Sequence, residues 1–146
     1  MKFSETLLEQ FESATLPKSQ WTHDAHVRVG LAMLSHYPFD EAVCRLRAGI
    51  IFLNKAHQTA NTASSGYHET LTHFWATAIH LFLTRSKDIS TDSQESTFLK
   101  SGLAANTLPF QFYEKEALLN SDHRSRFIPP TKLSLDWENL SKFMNP

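Results

Sequence analysis

The sequence has little of several features that define whole classes of protein. Cys44 is the only cysteine in 146 residues, so the chain cannot form an internal disulfide. Its neighbours are typical of a helix interior, where we expect a cysteine to be a small buried apolar side chain. The chain has only four glycines. Few segments alternate apolar and polar residues, which argues against an all-β fold.

The chain also has no large excess of positive or negative charge and no long apolar run. The formal net charge is -1, and no block of basic residues interrupts the balance. We therefore expect no nucleic-acid partner and no membrane-surface partner. No apolar run approaches the roughly 18 residues that cross a membrane. Residues 1–5 contain no apolar core of a signal peptide. These absences together predict a cytoplasmic protein.

The residues that are present suit a folded core. Hydrophobic residues make up 41% of the chain and aromatic residues 12%, with eleven phenylalanines and three tryptophans. A chain of this length is the size of one domain, and we expect residues 1–146 to form one.

Apolar side chains recur with helical spacing along the first 85 residues, which predicts an all-α fold. Pro17 and Pro38 end helices because the residue before a proline leaves the helical region. The predicted long helices span about 4–13, 22–36, 40–57 and 66–85, with Asp40 capping the third and Ser64 or Ser65 capping the fourth. Two shorter helices near 93–103 and 109–120, and a turn opening at Ser121, should follow. We expect a four-helix up-down bundle core with additional short C-terminal helices and a docked tail.

Two segments combine histidines with a large aromatic residue where a long helix should begin. The first is Trp-Thr-His-Asp-Ala-His at 21–26, and the second is Gly-Tyr-His-Glu-Thr-Leu-Thr-His at 66–73. In an up-down bundle alternate helices are parallel, so the two segments should lie at the same end. The end of the third helix should reach it as well. This topology predicts one neighbourhood for His23, His26, His57, His68 and Glu69.

The spacing within the second segment excludes one familiar zinc motif. His68 and His73 are five residues apart, about 140° around a helix, so they do not share a face. A metalloprotease helix places its two histidines four residues apart, on one face, with a glutamate between them. The partner of His68 should therefore come from the first segment, where His23 and His26 are three residues apart.

This neighbourhood predicts a divalent-metal site. Zinc, nickel or iron would be held by His23, His26 and His68, with an open position for water. Glu69 and Tyr67 are the candidate catalytic residues, with Glu69 beside the bound water. Such a site suits metal-assisted hydrolysis or group transfer on a small molecule.

The phrases Trp-Thr-His-Asp-Ala-His, Ser-Gly-Tyr-His-Glu-Thr-Leu-Thr and Ser-Asp-His-Arg-Ser-Arg-Phe-Ile-Pro-Pro resemble those of a group of small uncharacterised bacterial helical proteins. The resemblance covers about 11–133 and implies no particular activity. A looser architectural similarity is to the DinB-like and YfiT-like four-helix bundles, which hold a metal through three histidines. This chain departs from them by having His-x-x-His at a helix opening and no later His-x-x-x-His.

Two alternatives to the metal site stay open at this point. In the first, the same residues form a metal-free site for a small-molecule ligand, with histidines as general base and hydrogen-bond donor beneath two helix N-termini. In the second, the protein is a non-catalytic helical interaction module, and its histidines only cap and fasten the end of the bundle.

Overall fold

A computed structural model describes residues 3–146, and every regular element in that range is helical. The all-α prediction is confirmed. Met1 and Lys2, which carry part of the signal-peptide expectation, lie outside the described residues. The α-helices are α1 (Phe3–Glu12), α2 (His23–His36), α3 (Phe39–Ala56), α4 (Glu69–Arg85), α5 (Thr91–Lys100), α6 (Lys115–Leu119), α7 (Asp122–Ser125) and α8 (Trp137–Leu140). Short 3-10 turns occupy Lys18–Gln20, Gly102–Ala104, Leu108–Gln111 and Ser141–Phe143.

The four long helices begin and end within three residues of their predicted bounds, but the predicted caps of α3 and α4 are wrong. α3 begins at Phe39 directly after Pro38, and Asp40 accepts a hydrogen bond from the next backbone N–H instead of capping the helix. α4 begins at Glu69 rather than Gly66, because Gly66 has a φ of 92°, which no right-handed helix allows. Neither Ser64 nor Ser65 caps α4, because His68 holds the N-cap position; the Ser65 hydroxyl donates to the carbonyl of Ala60.

The C-terminal third also departs from its prediction in one place. The predicted helix at 109–120 is divided into the 3-10 turn Leu108–Gln111 and the short helix α6. The reason is long-range: the carbonyl oxygen of Phe112 accepts hydrogen bonds from the backbone N–H groups of Thr131 and Lys132. Those bonds hold Phe112 at the end of the turn and prevent a continuous helix.

The tail docks on the rest of the chain, as expected. Leu140 is fully buried, and the Phe143 ring lies 5.7 Å from that of Phe112. Gly102 donates a backbone hydrogen bond to Met144, 3.0 Å away. A Cβ at position 102 would collide with the Phe143 carbonyl, so a side chain there would push the tail away.

One core cluster contains side chains from all the long helices and from the tail. α2 packs against α1, α3 and α4, and α3 also packs against α1 and α4. At Gly30 the contact is close: a Cβ would lie 2.8 Å from the Cδ1 of Ile79 on α4. Cys44 lies outside this core and is exposed, contrary to the sequence expectation, because it falls on the outer side of α3.

Within residues 3–146, none of the helices combines the length and the apolar character that a bilayer crossing requires.

Candidate functional site

A cavity of about 640 Å³ lies between α2, α3 and α4, and the segment 106–124 closes it on one side. We call it the histidine cavity. Its polar lining residues are Lys18, His23, His26, Asn54, His57, Thr59, Tyr67, His68, Thr72, Asn106 and Arg124. Its apolar lining residues are Trp21, Val27, Leu46, Ile50, Leu71, Trp75, Ala76, Ile79, Pro109, Phe110, Leu118 and Leu119, and two glycines complete the wall.

The lining changes from polar to apolar along each of the three helices. On α4 it runs from His68 to Ile79, and on α3 it runs backwards from His57 to Leu46. On α2 the lining passes from His23 to Val27. The histidines therefore lie at one end of the cavity, and Leu46 and Ile79 lie towards the other.

His26 is held by two contacts. Its ring packs against that of Trp21, with the centroids 3.6 Å apart. Its Nδ1 donates to the carbonyl oxygen of Thr22 at 2.8 Å, which leaves Nε2 as the lone-pair nitrogen of the neutral ring. His26 is exposed by its overall surface area, yet protein atoms surround its ring. That desolvation lowers its pKa to about 4, outweighing the bond to Thr22, which raises it. At neutral pH His26 is an uncharged hydrogen-bond acceptor.

His23 and His57 are anchored in the same manner from other elements. The Nε2 of His23 donates to the carbonyl oxygen of Ala104 at 2.8 Å, and that of His57 donates to Leu16 at 2.7 Å. Both residues are half-buried. No buried side-chain nitrogen or oxygen in the described part of the chain lacks a partner, so the Nδ1 atoms of both rings must reach solvent. Each ring thus offers one free lone pair beside the histidine cavity.

His68 differs because both of its ring nitrogens are already bonded to protein. Nδ1 accepts from the backbone N–H of Leu71 at 3.1 Å, which makes His68 the N-cap of α4. Nε2 donates to the carbonyl oxygen of Leu118 at 3.0 Å. The ring is buried, and desolvation lowers its pKa, assisted by the nearby charges of Arg124 and His123. His68 therefore joins α4 to α6 and has no nitrogen left for a ligand.

Glu69 does not line the histidine cavity and instead pairs with Arg47 on α3. The two Arg47–Glu69 hydrogen bonds are 2.9 and 2.6 Å long, from Nε and Nη2. The Tyr67 hydroxyl donates to the same carboxylate at 2.5 Å. These bonds, with Arg47 foremost, lower the pKa of Glu69 to about 2. Burial, with Glu69 as a further cause, raises the pKa of Tyr67. The carboxylate holds the Tyr67 ring in the cavity wall.

The structure brings together some of the predicted site residues and separates others. His23, His26, His68 and Tyr67 all line the histidine cavity, and His57 joins them. Within residues 3–146, however, no three His, Cys, Asp or Glu side chains are arranged so that they could hold a metal ion. His23 and His26 retain one free nitrogen each, so they are the predicted ligands that remain available for a metal.

Sequence reasoning missed Arg124 as a lining residue. Its Nη2 donates to the carbonyl oxygen of Gly66 at 3.0 Å. A signal for it existed in the sequence around α7: Asp122 and Arg126 are four residues apart and pair at 2.8 Å. That pairing leaves Arg124 as the basic residue of this segment without its own acidic partner.

Comparison of the chain with protein-family models, with curated proteins and with solved structures finds no match. The resemblance to the group with WTHxAH and GYHET motifs therefore stays a prediction. The function has to be argued from the histidine cavity itself.

Proposed function

We propose that this protein binds a small molecule with an apolar body in the histidine cavity, without a metal. The observation that carries the proposal is the cavity's size and lining. Its volume is about 640 Å³, aliphatic and aromatic side chains form most of its wall, and polar groups are gathered at one end. Ligand sites commonly occupy about 300–1,000 Å³ and have this division of polar and apolar surface. The apolar wall supplies affinity, and the polar end fixes orientation.

The histidines act in this proposal as fixed hydrogen-bonding groups. Backbone carbonyls hold His23, His26 and His57, so their rings have defined tautomers and positions. A general base works best when its pKa is near the working pH, whereas that of His26 is about 4. His26 is thus better suited to accepting a hydrogen bond than to removing a proton, which favours binding over acid–base catalysis at this residue.

The proposal includes the four-helix up-down arrangement of α1–α4. Contacts between helices support it. On α2 and α4, His23 lies by Trp75, and the later Gly30 lies by the later Ile79, as in parallel helices. On α3 and α4 the order is reversed: Arg47 pairs with Glu69, and the earlier Phe39 contacts the later His80. An antiparallel α3 between parallel α2 and α4 accounts for the gathering of polar residues at one end.

A metal-binding function is the second candidate. The observation in its favour is that His23 and His26 each donate one N–H to a backbone carbonyl, as metal-ligating histidines do. Zinc, nickel or iron would then take the two free nitrogens. The predicted third ligand, His68, would first have to leave Leu71 and Leu118. A metal with Glu69 as its catalytic partner would also require that carboxylate to leave Arg47. These costs place the metal function second.

Calorimetric titration with decanol tests the binding proposal. Ile50→Trp places a large ring in the cavity and should abolish binding, whereas Phe52→Trp adds a ring on the exposed side of the same helix, where Phe52 is 60% exposed. Circular dichroism confirms that both variants fold. Saturable binding to the wild type and to Phe52→Trp alone supports the proposal. Equal binding to both variants, or none to the wild type, would overturn it in favour of the interaction module.

A further inference from the structure

We propose that the ligand of the histidine cavity is a small free carboxylate with an apolar body, and that Arg124 pairs with its carboxylate. This inference rests on the proposed binding function and specifies the class of ligand. Three observations carry it: the charges on the cavity lining, the environment of Arg124, and the length of the cavity wall along α4.

The charged groups on the lining have one sign. Lys18 and Arg124 are basic, and no aspartate or glutamate belongs to the lining. A cationic ligand would therefore meet two positive side chains with no compensating carboxylate. An anion is attracted by the same two side chains.

Arg124 is a half-buried guanidinium without a carboxylate partner among the described residues. Its side chain makes one hydrogen bond, to the carbonyl oxygen of Gly66. Burial lowers its pKa, with no compensating rise from a nearby acid. The nearest acidic residue in the chain, Asp122, is engaged by Arg126. A guanidinium has five N–H donors in a planar fork that fits a carboxylate with two parallel bonds, so most of its donors remain for a ligand.

The position of Arg124 sets the orientation of the ligand. Arg124 donates a hydrogen bond to Gly66, which lies at the polar end of the cavity, while the buried side chains of Leu46 and Ile79 lie towards its other end. Since an α-helix rises about 1.5 Å per residue, the span from His68 to Ile79 corresponds to about 16 Å. An extended decanoate fits within that length with its carboxylate at Arg124 and its chain against the aliphatic wall.

The test uses three probes that share one alkyl chain: decanoate, decanol and decylammonium. The wild type should bind decanoate at least about tenfold more tightly than decylammonium, which corresponds to about 1.4 kcal/mol. Arg124→Gln should weaken decanoate at least about tenfold and change decanol by less than about twofold, since only the charged head loses its partner. Arg124→Lys, which keeps the charge, should retain most of the preference.

Arg126→Gln is the matched control, because it removes the same charge two residues further along the chain, at an exposed, paired position. It should leave decanoate binding unchanged. If decylammonium binds the wild type as tightly as decanoate does, or Arg126→Gln weakens decanoate as much as Arg124→Gln, the carboxylate inference is overturned while decanol binding leaves the proposed function standing. If none of the three probes binds the wild type, the proposed function itself fails.

Discussion

His68 and Leu118 are joined by a hydrogen bond of 3.0 Å, from the ring Nε2 to the carbonyl oxygen. The other ring nitrogen of His68 caps α4. These two bonds occupy both ring nitrogens of His68, which the sequence suggested as a metal ligand. They join the start of α4 to the segment that closes the histidine cavity. His68 thus stabilises the wall of the cavity, and a ligand would contact His23, His26 and His57 instead.

Replacing His68 should lower stability. His68→Ala removes a helix cap, which costs about 1 kcal/mol, and a largely buried hydrogen bond worth about another 1 kcal/mol. We expect a loss of about 2 kcal/mol in the free energy of unfolding, measured by urea denaturation. His68→Asn should recover about half of it, because asparagine is a good N-cap but cannot reach Leu118.

A suitable control for this experiment is Ser121→Ala. Ser121 holds the N-cap position of α7, but its side chain makes no capping bond. Its loss should cost less than about 0.5 kcal/mol. If His68→Ala lowers the free energy of unfolding by no more than Ser121→Ala does, the hydrogen bonds of His68 do not stabilise α4.

The Arg47–Glu69 pair should be a stabilising contact and not part of the ligand site. A double-mutant cycle with Arg47→Gln and Glu69→Gln should give a coupling free energy on the order of 1 kcal/mol. Two hydrogen bonds join the pair, but Arg47 is partly exposed. The exposed Asp122–Arg126 pair should give less, about 0.3–0.5 kcal/mol.

The same Glu69→Gln variant separates stability from binding. Decanol affinity should stay within about twofold of the wild type, because Glu69 lies outside the cavity lining. A large loss of affinity without unfolding would instead support the ligand-site role predicted from the sequence.

The free energy of unfolding should decrease as the pH is lowered, in two adjoining pH windows. The pKa of His26 is about 4 in the folded protein against 6.5 normally, so between these values the unfolded chain binds more protons and stability drops as pH falls. The lowered pKa of His68 acts in the same direction. Glu69, with a folded pKa of about 2 against 4.5, adds a second loss below about pH 4.5.

Urea denaturation at a series of pH values measures both windows. His26→Gln should reduce the slope between pH 6.5 and 4 without abolishing it, because His68 still contributes there. It should leave the lower window unchanged, and Glu69→Gln should flatten the lower window alone. An unchanged slope in His26→Gln between pH 6.5 and 4 would mean that the folded protein does not hold His26 neutral.

Removing metal should not alter ligand binding if the metal-free proposal is right. Decanol titrations before and after dialysis against a chelator should give the same affinity, in protein purified without a histidine tag. Elemental analysis should find well under one zinc, nickel or iron per chain. A stoichiometric metal lost together with binding, and restored by adding that metal back, would favour the second candidate.

The long helices were predictable from local patterns, because apolar spacing and the prolines at 17 and 38 act within a few residues. The division of the predicted 109–120 helix was not, because it depends on Thr131 and Lys132. The gathering of His23, His26, His57 and His68 was predictable too, since it follows from the order of the long helices. The role of His68 was not, because its partner Leu118 is supplied by a distant segment with no recognisable pairing signal. The same holds for Glu69, whose orientation is decided by Arg47 on another helix.

The most direct test of small-molecule binding is an NMR titration of protein labelled at the isoleucine methyl groups. Ile50 and Ile79 line the histidine cavity, whereas Ile89 is exposed on a loop outside the lining. Adding decanol should shift the methyl signals of Ile50 and Ile79 along a common saturable curve and leave Ile89 in place. Unmoved signals for Ile50 and Ile79, or an equal shift at Ile89, would contradict the account of the cavity as the ligand site.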